Sequence, residues 1–256
     1  MARENKEKTA GTAAFMVGLV IFVVLFSAAA SVAVKFGMKL VASETASYVV
    51  SSKSGDSFVA VIDAGHGGED GGCSAGEVLE KDLNLEVAKR VSGFCSLLGI
   101  DTMMTRSEDT MAYDLYKELN DYTGKKKLYD LKNRVRFTKE AGADIYVGIH
   151  MNKFPDSSCK GMQIYYAEKV DSSMSLAEKI RDKNVSAFGK EGERELKKGK
   201  SAIFVLAHAE CPAVLVECGF LSNPSDLERL TTDEGKLAAA AVVAAGILEY
   251  SKGCDT

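Results

Sequence analysis

The chain has 256 residues, of which 46% are apolar and 27% are charged, and its formal net charge is −4. At roughly 150 residues per domain, this length allows one large domain or two small ones, with a core that needs no disulfide framework. The acidic balance argues against a nucleic-acid-binding protein with a basic face. Because only three histidines occur, any role that needs imidazole falls on His66, His150 or His208.

The first part of the chain carries a long stretch without charged residues. Residues 9–34 include none, and a bilayer span needs about 20 mostly apolar residues. Basic residues precede the stretch, which favours a cytoplasmic N-terminus. Residues 1–36 are therefore predicted to be a cytoplasmic stub and a transmembrane anchor. Small residues at 28–30 keep a cleaved signal peptide as the alternative.

A polar segment separates this predicted anchor from the remainder of the chain. Residues 37–56 are rich in serine and small polar residues, which predicts a linker. Residues 57–256 have a suitable length for one folded domain. We expect this domain to be extracytoplasmic and anchored to the membrane, or secreted if the N-terminal segment is cleaved.

Short apolar, β-rich segments alternate with helical patterns along the rest of the chain. Strands are predicted over 58–63, 102–105, 145–149, 162–166 and 213–217, and helices over 80–98, 131–140, 173–188 and 231–250. The last helix is expected to begin with a capping box at Thr231. This alternation predicts an α/β fold, with a mostly parallel or mixed twisted sheet flanked by helices on both faces. Residues 106–130 form a long charged connection that could be a lid, a partner surface or an insert.

Polar groups that can bind a metal follow three of the predicted strands. His66 follows the first strand, His150 ends the third, and Glu217 ends the last, while Glu80 begins the first helix. Ligands of open α/β sheets bind beyond the carboxyl ends of strands, where these groups would converge. Two imidazoles and a carboxylate suit zinc. The alternative is structural, with His66 in a turn and His150 in the core.

Four ordered motifs resemble one known family. They are VIDAGHGGEDGG (61–72), EKDLNLEVAKR (80–90), LKNRVRFTKEAGADIYVGIHMN (131–152) and PAVLVECGFLSNPSD (212–226). The chain resembles the zinc-dependent N-acetylmuramoyl-L-alanine amidases of the amidase_3 type. Within that family it resembles the membrane-anchored sporulation amidases, which contribute to muramic δ-lactam formation in spore cortex.

The resemblance implies a function and a set of site residues. It implies that residues 57–256 form a catalytic domain that binds one Zn²⁺ ion through His66, Glu80 and His150, with Glu217 as the catalytic glutamate. The implied reaction is hydrolysis of the amide between the lactyl group of N-acetylmuramic acid and L-alanine of peptidoglycan. The implied partners are peptidoglycan and, through the N-terminal helix, the membrane; a protein activator stays open.

Two other functions stay in view at the level of the sequence. One is a zinc peptidase that cuts within the stem peptide, and the other is a non-catalytic wall-binding regulator. Two further residues are considered near the site. Asp63 is predicted either to orient His66 or to bind loop amides, and His208 is expected to lie outside the ligand set.

Overall fold

A computed structural model describes residues 57–112, 124–190 and 193–254. The predicted anchor (1–36) and linker (37–56) lie outside these ranges, as does the middle of the 106–130 connection. Within the described ranges, no helix combines the length and apolar character that a membrane crossing requires.

Six strands form a central sheet, and two short strands form a separate hairpin. The eight strands are β1 (Val59–Ala64), β2 (Ser74–Ala75), β3 (Val78–Leu79), β4 (Asp101–Met104), β5 (Ile145–Asn152), β6 (Gln163–Ala167), β7 (Lys197–Gly199) and β8 (Ala213–Phe220). The sheet order is β4-β1-β5-β8-β6-β7, and β2 pairs with β3. Strands β4, β1, β5 and β8 are parallel, whereas β6 is antiparallel to β8 and parallel to β7. The predicted mostly parallel sheet is confirmed.

Helices cover both faces of this sheet. They are α1 (Glu80–Leu97), α2 (Lys126–Glu140), α3 (Ser172–Phe188), α4 (Phe204–His208), α5 (Pro224–Thr231) and α6 (Asp233–Lys252). Successive strand side chains point to opposite faces. Ile62 and Val216 thus join the core shared with α1, α3 and α6, while Val61 and Leu215 join a smaller core with α2 and α4. The predicted coverage of both faces is confirmed.

The predicted start of the last helix is wrong by one residue. The side chain of Thr232, not Thr231, accepts the hydrogen bond from Gly235 N that caps α6, at 3.1 Å. The Thr231 hydroxyl instead donates to Leu227 O at 2.9 Å and belongs to the end of α5. Either of the two adjacent threonines could cap the helix from its sequence. Because Thr231 belongs to the end of α5, Thr232 is the cap.

One strand lies in a segment for which the sequence predicts no strand. The lysine-rich segment Lys197–Gly199 forms β7, which pairs with β6 at the edge of the sheet. Lysine side chains on an edge strand discourage pairing with a further chain. The charge of the segment therefore fits an edge strand as well as it fits a loop.

Candidate metal centre

The three strand ends that carry metal-competent groups lie side by side. Strands β1, β5 and β8 are parallel neighbours, so their carboxyl ends share one edge of the sheet. His150 on β5 is the direct register partner of Glu217 on β8. His66 follows β1 by two residues, and Glu80 begins α1. The fold therefore brings to one place residues that are up to 151 positions apart in the sequence, from His66 to Glu217.

His66, Glu80 and His150 form a compact cluster. One ligand atom from each lies within 4.8 Å of the others. Glu80 Oε1 is 3.2 Å from His66 Nε2 and 3.0 Å from His150 Nδ1. The imidazole rings are 5.0 Å apart between centroids and meet edge to face. Their side chains are 17% and 18% exposed, so the cluster is accessible from solvent.

Glycines make room for this cluster. A Cβ atom on Gly65 would lie 2.2 Å from His150 Cε1, and one on Gly72 would lie 2.5 Å from Glu80 Oε2. His66 itself adopts a φ of 61°, which is uncommon for a residue with a side chain. The Gly-rich sequence after β1 is thus required by the close approach of the backbone to two candidate ligands.

Backbone and side-chain donors surround the carboxylate of Glu80. Its oxygens accept hydrogen bonds from Cys73 N at 2.8 Å and from Met151 N at 3.2 Å, and Asn84 Nδ2 lies at 3.4 Å. Burial opposes ionisation of Glu80, but the hydrogen bonds to His150 and His66 hold its pKa far below the usual range. Glu80 is therefore an anion fixed between the two histidines.

Asp70 holds the outer nitrogen of the His66 ring. Asp70 Oδ2 lies 2.9 Å from His66 Nδ1, within ion-pair distance but without the geometry of a hydrogen bond, and Nε2 of the same ring faces Glu80. Burial lowers the pKa of His66, but Asp70 and Glu80 outweigh it and raise the pKa to about 9. A carboxylate on the far nitrogen of a metal-binding histidine fixes the ring's tautomer and orientation.

Asp63 does not contact the His66 ring, so its predicted role in orienting that ring is wrong. Its carboxylate instead accepts hydrogen bonds from Thr105 Oγ1, Tyr146 OH and Arg134 Nη1 beneath the site. The alternative, binding of loop amides, is not observed for the side chain either. The sequence places Asp63 near His66 but does not reveal the buried arginine that forms an ion pair with it.

Glu217 faces the cluster with an unsatisfied oxygen. Its Oε2 atom is inaccessible to solvent and finds no hydrogen-bond partner among the residues that the structure describes. Burial raises the pKa of Glu217 to about 8, and the neighbouring charge of Glu80 adds to this rise. A buried carboxyl group with a raised pKa beside a cluster of potential metal ligands is a typical arrangement for a residue that acts as a general acid and base.

His208 lies apart from the cluster. Its Nδ1 is 2.8 Å from Phe204 O, and its ring stacks on the Phe204 ring with centroids 4.0 Å apart. The one described His/Cys/Asp/Glu cluster with metal-binding geometry does not include it.

The first residues of the 106–130 connection bind and support the loop after β1. Arg106 is buried, and its guanidinium donates to Ala64 O at 2.8 Å and to Gly65 O at 3.0 Å. Asp109 accepts from Gly68 N at 2.8 Å and pairs with Lys81. Sequence reasoning missed Arg106, since no periodic pattern marks it. The role of residues 113–123 lies outside the described residues.

A family model described as Amidase_3, N-acetylmuramoyl-L-alanine amidase, matches residues 60–249 of the chain. The match covers most of the chain and all four candidate site residues. The chain belongs to this amidase family. Hydrolysis of the bond between N-acetylmuramic acid and L-alanine, the expected activity, is therefore confirmed as the activity of the family.

Individual amidases agree with this assignment. The germination-specific N-acetylmuramoyl-L-alanine amidase of Bacillus subtilis is 35% identical over 191 residues, which are 74% of this chain and 78% of that protein. The CwlD amidase of Clostridioides difficile, solved in complex with the GerS lipoprotein, is 31% identical with a TM-score of 0.70, over 77% of this chain and 99% of that one. The AmiC2 amidase of Nostoc punctiforme is 30% identical with a TM-score of 0.64, over 76% and 97%.

Proposed function

We propose that this amidase uses one zinc ion held by His66, Glu80 and His150. Two imidazoles and a carboxylate form a common ligand set of catalytic zinc sites, and their ligand atoms already lie within 4.8 Å of one another. A zinc ion held by these three residues would supply a Lewis acid and would lower the pKa of a water bound to it to about 7. Asp70 lies beside His66 Nδ1, and Nε2 of the same ring faces the cluster.

Glu217 is the general base and acid of the proposed mechanism. It takes the proton of the attacking water and later delivers it to the departing amine of L-alanine. The single observation that carries this assignment is the buried, unpartnered Oε2 of Glu217 beside the His–Glu–His cluster. Attack occurs at the lactyl carbonyl carbon, so the products are a free lactyl carboxylate and a peptide with an L-alanine amino group.

A digest of purified muropeptides tests the reaction. We expect the zinc-supplemented full chain in detergent to release intact stem peptides and leave glycans with free lactyl groups, as determined by mass spectrometry. Shortened stem peptides would instead support a zinc peptidase, and the absence of any product would support a non-catalytic wall-binding protein. Glu217→Ala is the matched control, because it removes the base and leaves the three proposed ligands in place.

The proposed physiological substrate is the spore cortex. The proposal is supported by the similarity to the germination-specific amidase of B. subtilis and to the CwlD amidase. Spores made without this chain should contain cortex that lacks muramic δ-lactam, as measured by muropeptide mass spectrometry. Normal δ-lactam in those spores would assign the enzyme to another part of the wall.

The proposed location is the outer face of a membrane. Residues 1–36 are proposed as the anchor and 37–56 as the linker to the catalytic domain, on the strength of the charge-free residues 9–34. Because the CwlD relative was solved in complex with a lipoprotein, the proposed protein partner of this chain is also a lipoprotein. Fractionation of cells that express the chain with or without residues 1–36 tests the anchor, since only the chain that includes these residues should appear in the membrane fraction.

A further inference from the structure

Arg134 reaches from the buried interior to the backbone of a proposed zinc ligand. The side chain lies on α2 and is 2% exposed. Its Nη2 donates to His66 O at 2.7 Å, and its Nη1 donates to Ala64 O at 3.0 Å. One guanidinium group thus bridges two carbonyl oxygens of the loop that carries His66.

Two aspartates compensate the buried charge of Arg134. Asp130 accepts from Nε at 2.8 Å, and Asp63 accepts from Nη1. Burial opposes ionisation of Asp63, but Arg134, Thr105 and Tyr146 together lower the pKa of Asp63 below its ordinary value. A buried arginine that is fully paired keeps a defined position, because leaving either charge unpaired is costly.

The loop needs such support at His66. This residue has a φ of 61°, and it is the only described residue other than glycine with a positive φ. A β-substituted residue seldom adopts this conformation unless its surroundings enforce it. The bond from Arg134 to the His66 carbonyl acts on that backbone directly, whereas Arg106 binds the carbonyls of Ala64 and Gly65.

We propose that Arg134 is a positioning residue that holds His66 in its metal-binding conformation, an inference that rests on the proposed role of His66 as a zinc ligand. Lysine cannot replace it, because a single ammonium group lacks the planar fork that bridges Asp63 and both carbonyls. Its guanidinium contacts the backbone carbonyl of His66 and not the ring that would bind zinc. Its effect should therefore appear first in metal affinity.

The zinc affinity of Arg134→Lys tests the proposal. It is measured on the full chain in detergent, by competition with a chelating dye. We expect affinity to fall by about 10–100-fold, the usual cost of losing an outer-shell partner. Tyr146→Phe is the matched control, because it removes a hydrogen bond to the same Asp63 carboxylate without touching the loop carbonyls. The melting temperature of the metal-free protein is recorded for each variant, and the control should lose stability while keeping zinc affinity within about twofold.

Three outcomes distinguish this inference from the proposed function. A wild-type chain that binds no zinc contradicts the zinc site itself. Wild-type binding with equal affinities for Arg134→Lys and Tyr146→Phe overturns the positioning role and leaves the site intact. If Arg134→Lys does not fold, Asp130→Asn takes its place, since it loosens the guanidinium through Nε. Asp130→Asn should then bind zinc more weakly than Tyr146→Phe, and equal affinity would again overturn the role.

Discussion

His150 and Glu217 are direct register partners on the adjacent parallel strands β5 and β8. Side chains paired in this way project from the same face of the sheet, and the strands fix their separation. A proposed metal ligand and the proposed base therefore sit on two adjacent strands in the interior of the sheet. The third and fourth groups, His66 and Glu80, come from a loop and a helix start, which require additional support.

Gly65→Ala should disturb the site by steric contact alone. A Cβ atom there would lie 2.2 Å from His150 Cε1, so the ring must move and zinc affinity should fall by at least about tenfold. Gly71→Ala in the same loop is the matched control, because its nearest neighbour, Leu79 Cδ2, is 4.0 Å away. Titration with a chelating dye measures both variants. Equal affinities for them would show that His150 does not need this space.

Zinc binding should release a proton near neutral pH. The pKa of His66 is raised to about 9 in the metal-free protein, whereas metal binding requires an unprotonated ring nitrogen. Binding at pH 7 should therefore expel about one proton from His66, and affinity should weaken as the pH falls below 9. Calorimetry in buffers of different ionisation enthalpy measures the release. A release well below one proton at pH 7 would contradict this account.

Glu217 should make the metal-free protein less stable in alkali. Its pKa is about 8, raised from 4.5 mainly by burial. Because the folded state holds this proton more tightly, the stabilisation is complete below pH 4.5 and is lost as the pH rises through 8.

Glu217→Gln removes this dependence. With EDTA present, the variant should have nearly the wild-type free energy of unfolding at pH 4.5 and exceed it by a few kcal/mol at pH 9. The stability that protonated His66 contributes is lost gradually between pH 6.5 and about 9. Both proteins share this loss, so it cancels in the comparison. Urea unfolding across this range provides the comparison. Parallel stability curves for the two proteins would place Glu217 in a more solvated environment.

Much of the fold could be predicted from the sequence because its signals are local. Buried strands such as Ile145–Asn152 appear as short apolar runs, and α1 appears as helical spacing that begins at Glu80. Such patterns predict an alternating α/β sheet and place functional groups at its carboxyl ends. The edge strand β7 was missed because three residues rich in lysine carry no strand pattern.

The supports of the site could not be predicted in the same way. Arg134 and Asp63 are 71 positions apart, and a charged residue on a helix is usually solvent-exposed. Only the packing of α2 against the sheet shows that this arginine is buried and binds the His66 carbonyl. Asp70 is one of several acidic residues in the Gly-rich loop, and only the folded loop shows that it lies beside His66 Nδ1.

The most direct test of the proposed site combines zinc content and turnover for Glu217→Gln. The purified full-length variant should retain one zinc ion per chain, because Glu217 is not a proposed ligand. Its hydrolysis of muropeptides should fall by about 10²–10⁴-fold, the usual contribution of general acid–base catalysis. His150→Ala, measured in parallel, should lose the metal. A Glu217→Gln enzyme with near-normal turnover would contradict the account.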